Sequence, residues 1–139
     1  MVEMFVSYTG EKHCELKHGP SGSSIETDAP KDNFGRGERF SPTDLLGASL
    51  ASCILTTMAI MAEKDGGQLD IRGTSARVIK EMNLNPRRVA RLPIEVTMPR
   101  GISSQDRKRL EAAAEACPVK RSLHPDIEAP IRFIYPDIV

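Results

Sequence analysis

Cys53 and Cys117 carry the clearest chemical potential in this chain. A thiolate attacks electrophilic oxygen or sulfur, and two thiols that meet can close to a disulfide and reopen. The two are too far apart in sequence to form a local motif, and each lies in a helix-like segment among apolar neighbours. Periodicity alone favours inert packing for both, because free cysteine is among the most buried residue types. Chemistry would require a dithiol assembled by the fold, with something to lower one thiol's pKa. Cys53 sits about three turns into its helix, and the dipole effect of a helix N-terminus fades after the first turn. Its activation then falls to a nearby cation. Arg36 and Arg39, in the loop before the helix, are the candidates closest in sequence. Glu38 or Asp44 could hold such an arginine through a charge-assisted pair.

The remaining reactive types point elsewhere. Cys14 alternates with Leu16 against charged neighbours on a strand and reads as packing. His13, His18 and His124 lie in polar contexts, and no pair has helical ligand spacing with a carboxylate, so no metal site is expected. His124, although it follows the Cys117 segment, reads as a solvated loop residue. There is no CxxC, which removes zinc-ribbon and thioredoxin-type motifs.

The chain has 139 residues, enough for one domain with a real core. Lys plus Arg (19) balances Asp plus Glu (19), so nothing draws it in bulk to nucleic acid or anionic lipid. The basic clusters Arg87-Arg88 and Arg107-Lys108-Arg109 lack interleaved aromatics, and there is no Trp for base stacking. Three cysteines do not make a secreted disulfide framework. The start, Met1-Val2-Glu3-Met4, is unlike a signal peptide. A cytoplasmic location is expected, where a disulfide would be transient and catalytic. Leu45 to Ala62 is uncharged and just long enough to span a bilayer, but its Gly, Ser and Thr residues fit a helix buried on nearly all sides. No membrane association is expected.

The elements that must position the thiols are legible as a pattern. Phe5–Thr9, Cys14–His18 and Ser24–Asp28 read as a strand meander, followed by a polar loop over 29–41. Ser41, Pro42 and Asp44 open a long helix that runs to about Lys64 and stops at Gly66-Gly67. Residues 70–82 and 88–98 read as two strands around a turn at Asn83–Pro86, the second with Ala90, Leu92, Ile94, Val96 and Met98 on one face. Ser103 and Asp106 open a second helix to about Ala116, with Leu110, Ala113, Ala114 and Cys117 on its apolar face and Pro118 ending it. A last strand covers Ile127–Tyr135, with Ile127, Ile131, Phe133 and Tyr135 on one face. The order suits an α+β domain with helices on antiparallel sheets.

Two segments carry a resemblance. Ser41-Pro42-Thr43-Asp44-Leu45-Leu46-Gly47-Ala48-Ser49-Leu50-Ala51-Ser52-Cys53 resembles the first cysteine motif of the OsmC/Ohr family, and Ala116-Cys117-Pro118-Val119 resembles its second. Spacing and element order agree over nearly the whole chain, and together the motifs outweigh the packing reading of both thiols. The resemblance implies an α+β fold formed as an intertwined homodimer, with the two long helices at its centre and two sites at the subunit interface. It implies a thiol peroxidase for organic hydroperoxides in oxidative-stress defence. Cys53 would be the peroxidatic residue, passing through a sulfenic acid, and Cys117 would close a disulfide with it. A dithiol reductant, in some members lipoyl-type, would restore both, with no cofactor. Leu45, Leu46, Leu50, Met58 and Met61 would give the pocket an apolar lining. Peroxidase members of the family carry a glutamate just after the helix-opening proline, paired with the activating arginine, where this chain has the neutral Thr43. That departure keeps an alternative open, a non-catalytic redox-sensing or small-ligand-binding protein on the same dimeric scaffold.

Overall fold

The structure, a computed structural model, describes residues 1–64 and 67–137. The chain divides into two compact units, Met1–Leu46 and Gly47–Val139.

The first unit is built on the expected meander. Strands β1 (Met4–Gly10), β2 (His13–His18) and β3 (Ser24–Asp28) form one antiparallel sheet in the order β1-β2-β3. Its first turn uses three consecutive residues of positive φ, Gly10, Glu11 and Lys12, which suits the right-handed twist of a tight hairpin. Register places Val6, Leu16 and Ile25 in one row and Tyr8, Cys14 and Thr27 in the next, so one face is apolar. Met4, Val6, Tyr8 and Ile25 on that face are nonetheless exposed. Cys14 is half-buried among them, on the apolar face where its alternation put it but outside the buried core that the packing reading expected.

The long helix α1 (Pro42–Glu63) starts where expected. Its capping box is reciprocal: Asp44 N–H donates to Ser41 Oγ at 3.0 Å, and Ser41 N–H donates to Asp44 Oδ2 at 2.9 Å. Of the Gly66-Gly67 stop, Gly66 lies outside the described residues, while Gly67 has φ +64°. By length and hydropathy α1 could cross a membrane. It also carries a buried stripe at every fourth residue, Leu50, Ile54, Met58 and Ala62, as a core helix does. Its opposite stripe, Ser49, Ser52, Thr56 and Ile60, is exposed and uncharged, so within this chain the helix is buried along one side and not on nearly all sides as read.

In the second unit, strands β4 (Ser75–Val78), β7 (Ile94–Thr97) and β8 (Ile131–Ile134) form one sheet, and β5 (Glu81–Leu84) and β6 (Arg87–Arg91) form a separate hairpin. The two long strands expected over 70–82 and 88–98 are therefore four short ones. Proline 93, which has no N–H for a ladder, separates β6 from β7. The β5–β6 register also slips, Met82 facing Val89 while Glu81 faces Arg91. This bulge changes which alternate residue points inward. Val89 is buried in place of the expected Ala90, while Leu92, Ile94, Val96 and Met98 are buried as read. The last strand begins at Ile131 rather than Ile127, leaving an isolated bridge between Arg91 and Glu128.

The sheets are not wholly antiparallel. β8 pairs with β7 in parallel, with Ile94 beside Ile131 and Val96 beside Phe133. The intervening chain supplies the reason. A crossover containing helices α2 (Ser104–Glu115) and α3 (Pro118–Ser122) returns the chain to the same end of the sheet, and only a connection of that length can make a parallel neighbour. Helix α1 approaches this unit's strands closely at Gly47, where an added Cβ would lie 3.3 Å from Leu92 and 3.6 Å from Val78. The core is filled by Leu50, Ile54, Met58, Leu92, Val96, Met98 and Leu110, each at 2 % exposure or less.

Candidate active site

The fold brings Cys53 and Cys117 together. Cys53 lies mid-way along α1, half-buried, beside the buried stripe. Cys117 is fully buried at the corner between α2 and α3. The two thiols are within hydrogen-bonding reach of each other and are not joined by a disulfide.

The corner that carries Cys117 is constructed locally. Helix α2 opens on Ser103, whose Oγ accepts from Asp106 N–H at 3.1 Å, and closes at Ala116. Pro118 was expected to end that helix, and it does, but as the first residue of α3. Cys117 is the residue that caps α3: its sulfur accepts Lys120 N–H at 3.4 Å, and its carbonyl accepts Arg121 N–H at 3.1 Å. The next amide, Val119 N–H, donates to Cys53. The start of α3 thus offers adjacent N–H groups to both sulfurs.

These donors push the two thiols apart in acidity. Burial raises the Cys53 pKa, but hydrogen bonds from Val119 N–H, from the Cys117 thiol and from Thr57 Oγ1 outweigh it and hold Cys53 below an ordinary thiol. Thr57, one turn on along α1, has its hydroxyl 3.8 Å from the sulfur. For Cys117 burial again comes first, and the N–H groups of Lys120 and Val119 do not offset it; the hydrogen bond to Cys53 and Cys53's charge add to the rise. One thiol is disposed to be the thiolate and the other to keep its proton and donate it.

The sequence reading expected cationic activation instead. All the groups that lower Cys53 lie on α1 and at the α2–α3 corner, and they are neutral hydrogen-bond donors. Arg36 and Arg39 belong to the first unit, and each meets an acid there: Arg36 pairs with Glu11, and Arg39 Nε lies 3.3 Å from Glu26 Oε2. The acids that hold the two arginines are therefore Glu11 and Glu26, not Glu38 or Asp44. Glu38 meets Arg39 through its carbonyl oxygen at 3.1 Å, and its N–H donates to Asp28 Oδ2 at 3.0 Å. The Asp44 carboxylate caps α1. Strand pairing is the cause, since it lays Glu26 on β3 across from β2, within reach of the loop that carries Arg39. The same unit contains a polar cluster with no local signature in residue order. His13 sits between Asp28 (Nδ1 to Oδ1, 2.5 Å) and Glu26 (Nε2 to Oε1, 3.1 Å), and Asp28 is buried.

Val119, Lys120 and Thr57 were missed. Two signals could have found them: Cys-Pro places a capping residue before a proline suited to a helix start, and Thr57 follows Cys53 by four, one helical turn. The expected apolar lining is also thinner than read, because Leu50 and Met58 are core residues at 0 % exposure, leaving Leu45, Leu46 and Met61 half-buried. His124 is exposed, as expected for a loop, with Nδ1 accepting Asp126 N–H at 3.1 Å. Among the described residues no cluster of His, Cys, Asp and Glu could hold a metal ion.

A profile of the family described as OsmC-like protein matches residues 35–131, a span that includes both cysteines. The chain belongs to the OsmC-like family. Among solved structures it is similar to an osmotic stress induced and detoxification response protein from Psychrobacter arcticus 273-4, at 42 % identity over 96 % of each chain and a TM-score of 0.91. More distant OsmC-like folds include an organic hydroperoxide resistance protein OsmC from Legionella pneumophila (14 % identity, 96 % of each chain, TM-score 0.75). Another is an organic hydroperoxide resistance protein from Vibrio cholerae with captopril bound in one of its active sites (14 % identity, 96 % of this chain and 90 % of that one, TM-score 0.71). At those identities the likeness is one of fold. No curated protein matches the chain. Membership of the OsmC-like family supports a redox function in general terms.

Proposed function

We propose that this protein is a cysteine-based peroxidase that reduces organic hydroperoxides in defence against oxidative stress. The observation that carries the reading is the hydrogen-bonded pair of free thiols, one lowered and the other raised in pKa. The Cys53 thiolate attacks the distal oxygen of the hydroperoxide. The O–O bond breaks, the alkoxide leaves and takes a proton to become an alcohol, and Cys53 becomes a sulfenic acid. The Cys117 sulfur then attacks Cys53, forming the S–S bond and releasing water. A dithiol reductant, lipoyl-type in the family resemblance, reduces that disulfide by exchange and is itself oxidised. Cys117 starts close enough that the second step needs only local movement of its corner.

The working protein is a homodimer in a cytoplasmic setting, and the open apolar face of β1–β3 with the uncharged stripe of α1 supports a second copy as the covering surface. Arg36 or Arg39 completes the site with its paired acid in that assembly. A second reading, redox sensing or ligand binding without turnover, draws on Thr43. Its hydroxyl lies 3.2 Å from Ser41 Oγ in the helix cap, and it carries no charge to pair with an arginine.

Single-turnover consumption of cumene hydroperoxide by the reduced protein, with peptide-resolved mass spectrometry, separates the two. Fast loss of one equivalent with a Cys53–Cys117 disulfide, repeated on adding a dithiol, is expected. Disulfide formation without repeated turnover would favour sensing, and no disulfide at all would sink both redox readings and leave ligand binding.

A further inference from the structure

Glu115 and Lys120 bracket Cys117. Glu115 is the last residue of α2, Lys120 lies within α3, and the Lys120 ammonium meets Glu115 Oε2 at 2.5 Å across the corner. Lys120 also donates its own main-chain N–H to Cys117 Sγ, and its neighbour Val119 donates to Cys53. The other ties at the corner are local ones: Ala116 N–H to Ala112 O at 3.2 Å and Ala113 O at 3.1 Å, Cys117 N–H to Ala114 O at 3.3 Å, Arg121 N–H to Cys117 O at 3.1 Å, Leu123 N–H to Lys120 O at 3.3 Å, and Ser122 Oγ to Pro118 O at 2.8 Å. A helix of α3's length does not hold its shape unaided, because nucleation is costly and few bonds follow it. The ion pair spans the segment whose amides face the sulfurs, with the Lys120 side chain at 24 % exposure. Neither the ammonium nor the carboxylate is among the groups that act on either thiol directly.

We propose that the Glu115–Lys120 pair is a positioning device for the dithiol: by tying the end of α2 to α3, it holds the Val119 and Lys120 amides on the two sulfurs. The inference rests on the thiol chemistry proposed above and adds to it the side chains that keep the donors aligned. Its signature is a matter of sign. A positioning pair loses its effect when either partner is removed, so Lys120→Met and Glu115→Gln both weaken the acidity of Cys53. A mere field effect has opposite signs, since losing the cation disfavours a thiolate and losing the carboxylate favours it.

The test is the pH dependence of Cys53 alkylation by iodoacetamide in the reduced full-length protein, read peptide by peptide by mass spectrometry. Both variants should move the Cys53 ionisation midpoint upward by the equivalent of about two- to five-fold in the ionisation constant, the range for a partly exposed ion pair. Lys120→Arg should restore the wild-type profile. Salt at about 1 M should move the wild type toward the variants and leave the variants where they are, because screening at that strength acts over roughly 3 Å. Opposite shifts in the two variants, or unchanged midpoints, would overturn the proposal. Alkylation uses no hydroperoxide, so a clamp that behaves as described in a protein that consumes no peroxide would overturn the peroxidase reading alone.

Discussion

Replacing Cys117 separates two tasks that its thiol holds: donating a hydrogen bond to the Cys53 thiolate, and resolving the sulfenic acid. Alanine removes both, whereas serine keeps a donor and removes the sulfur. A hydrogen bond to a charged group contributes about 1.5–3 kcal/mol, and a thiol is a weak donor, so about 1 kcal/mol is a fair magnitude here. That corresponds to about a five-fold smaller ionisation constant for Cys53 in Cys117→Ala, its pKa moving upward. Val119 N–H and Thr57 remain, so Cys53 keeps part of its acidity. The alkylation rate at neutral pH falls by less than the shift implies, because a thiolate of higher pKa is more nucleophilic, with a Brønsted slope of about 0.4–0.5. The midpoint of the rate–pH profile is therefore the quantity to measure. Cys117→Ser should hold that midpoint near wild type while abolishing disulfide formation after one equivalent of cumene hydroperoxide. The alanine variant should also lose about 1 kcal/mol of stability, since it empties a sulfur's volume at a fully buried position. A midpoint in Cys117→Ala equal to that of wild type would refute the donor role. A midpoint raised equally in the serine variant would show that the shift comes from lost packing and not from a lost donor.

Three further outcomes follow from the geometry. Leu110→Ala, at a fully buried position on α2, should destabilise by about 2–5 kcal/mol, readable as a lower urea midpoint with unchanged slope. Ser41→Ala should cost about 1 kcal/mol through loss of the α1 cap, visible in the same experiment. The His13 cluster should make stability depend on pH. Hydrogen bonding to Asp28 raises His13 above 6.5, so its contribution is full below 6.5 and fades as pH rises through the raised value. Hydrogen bonding to His13 lowers Asp28 below 3.8 and Glu26 below 4.5, so theirs is present above those values and fades as pH falls through the lowered ones. Thermal midpoints should peak between about pH 4.5 and 6.5, and His13→Gln should flatten the profile. A His13→Gln profile that still peaks would show that the cluster is not responsible.

Much of this protein is legible from residue order because its signals are local. The capping boxes at Ser41–Asp44 and Ser103–Asp106, the apolar face of α2 and the alternation through Ile94, Val96 and Met98 each depend on neighbours a few positions away. Hydrophobic periodicity, propensity and turn chemistry act over that range and can be read directly. Periodicity alone favoured packing for Cys53 and Cys117, and it was the resemblance of their two motifs to the OsmC/Ohr family that marked the thiols. The break at Pro93, the bulge that turned Val89 inward in place of Ala90, and the parallel pairing of β8 with β7 depend on which strands become neighbours, a choice made by packing over long sequence separations. The contacts that Cys53 makes beyond its own helix were decided at that level too. The nearest arginines in sequence found Glu11 and Glu26, which strand pairing placed beside them, while the donors that reached the sulfur came from residue 119 and from the partner thiol at 117. A sequence displays which residues can donate, accept or ionise. Only the folded chain decides which of them meet, because a hydrogen bond needs its partners within about 3 Å, and distance along the chain says little about distance through space.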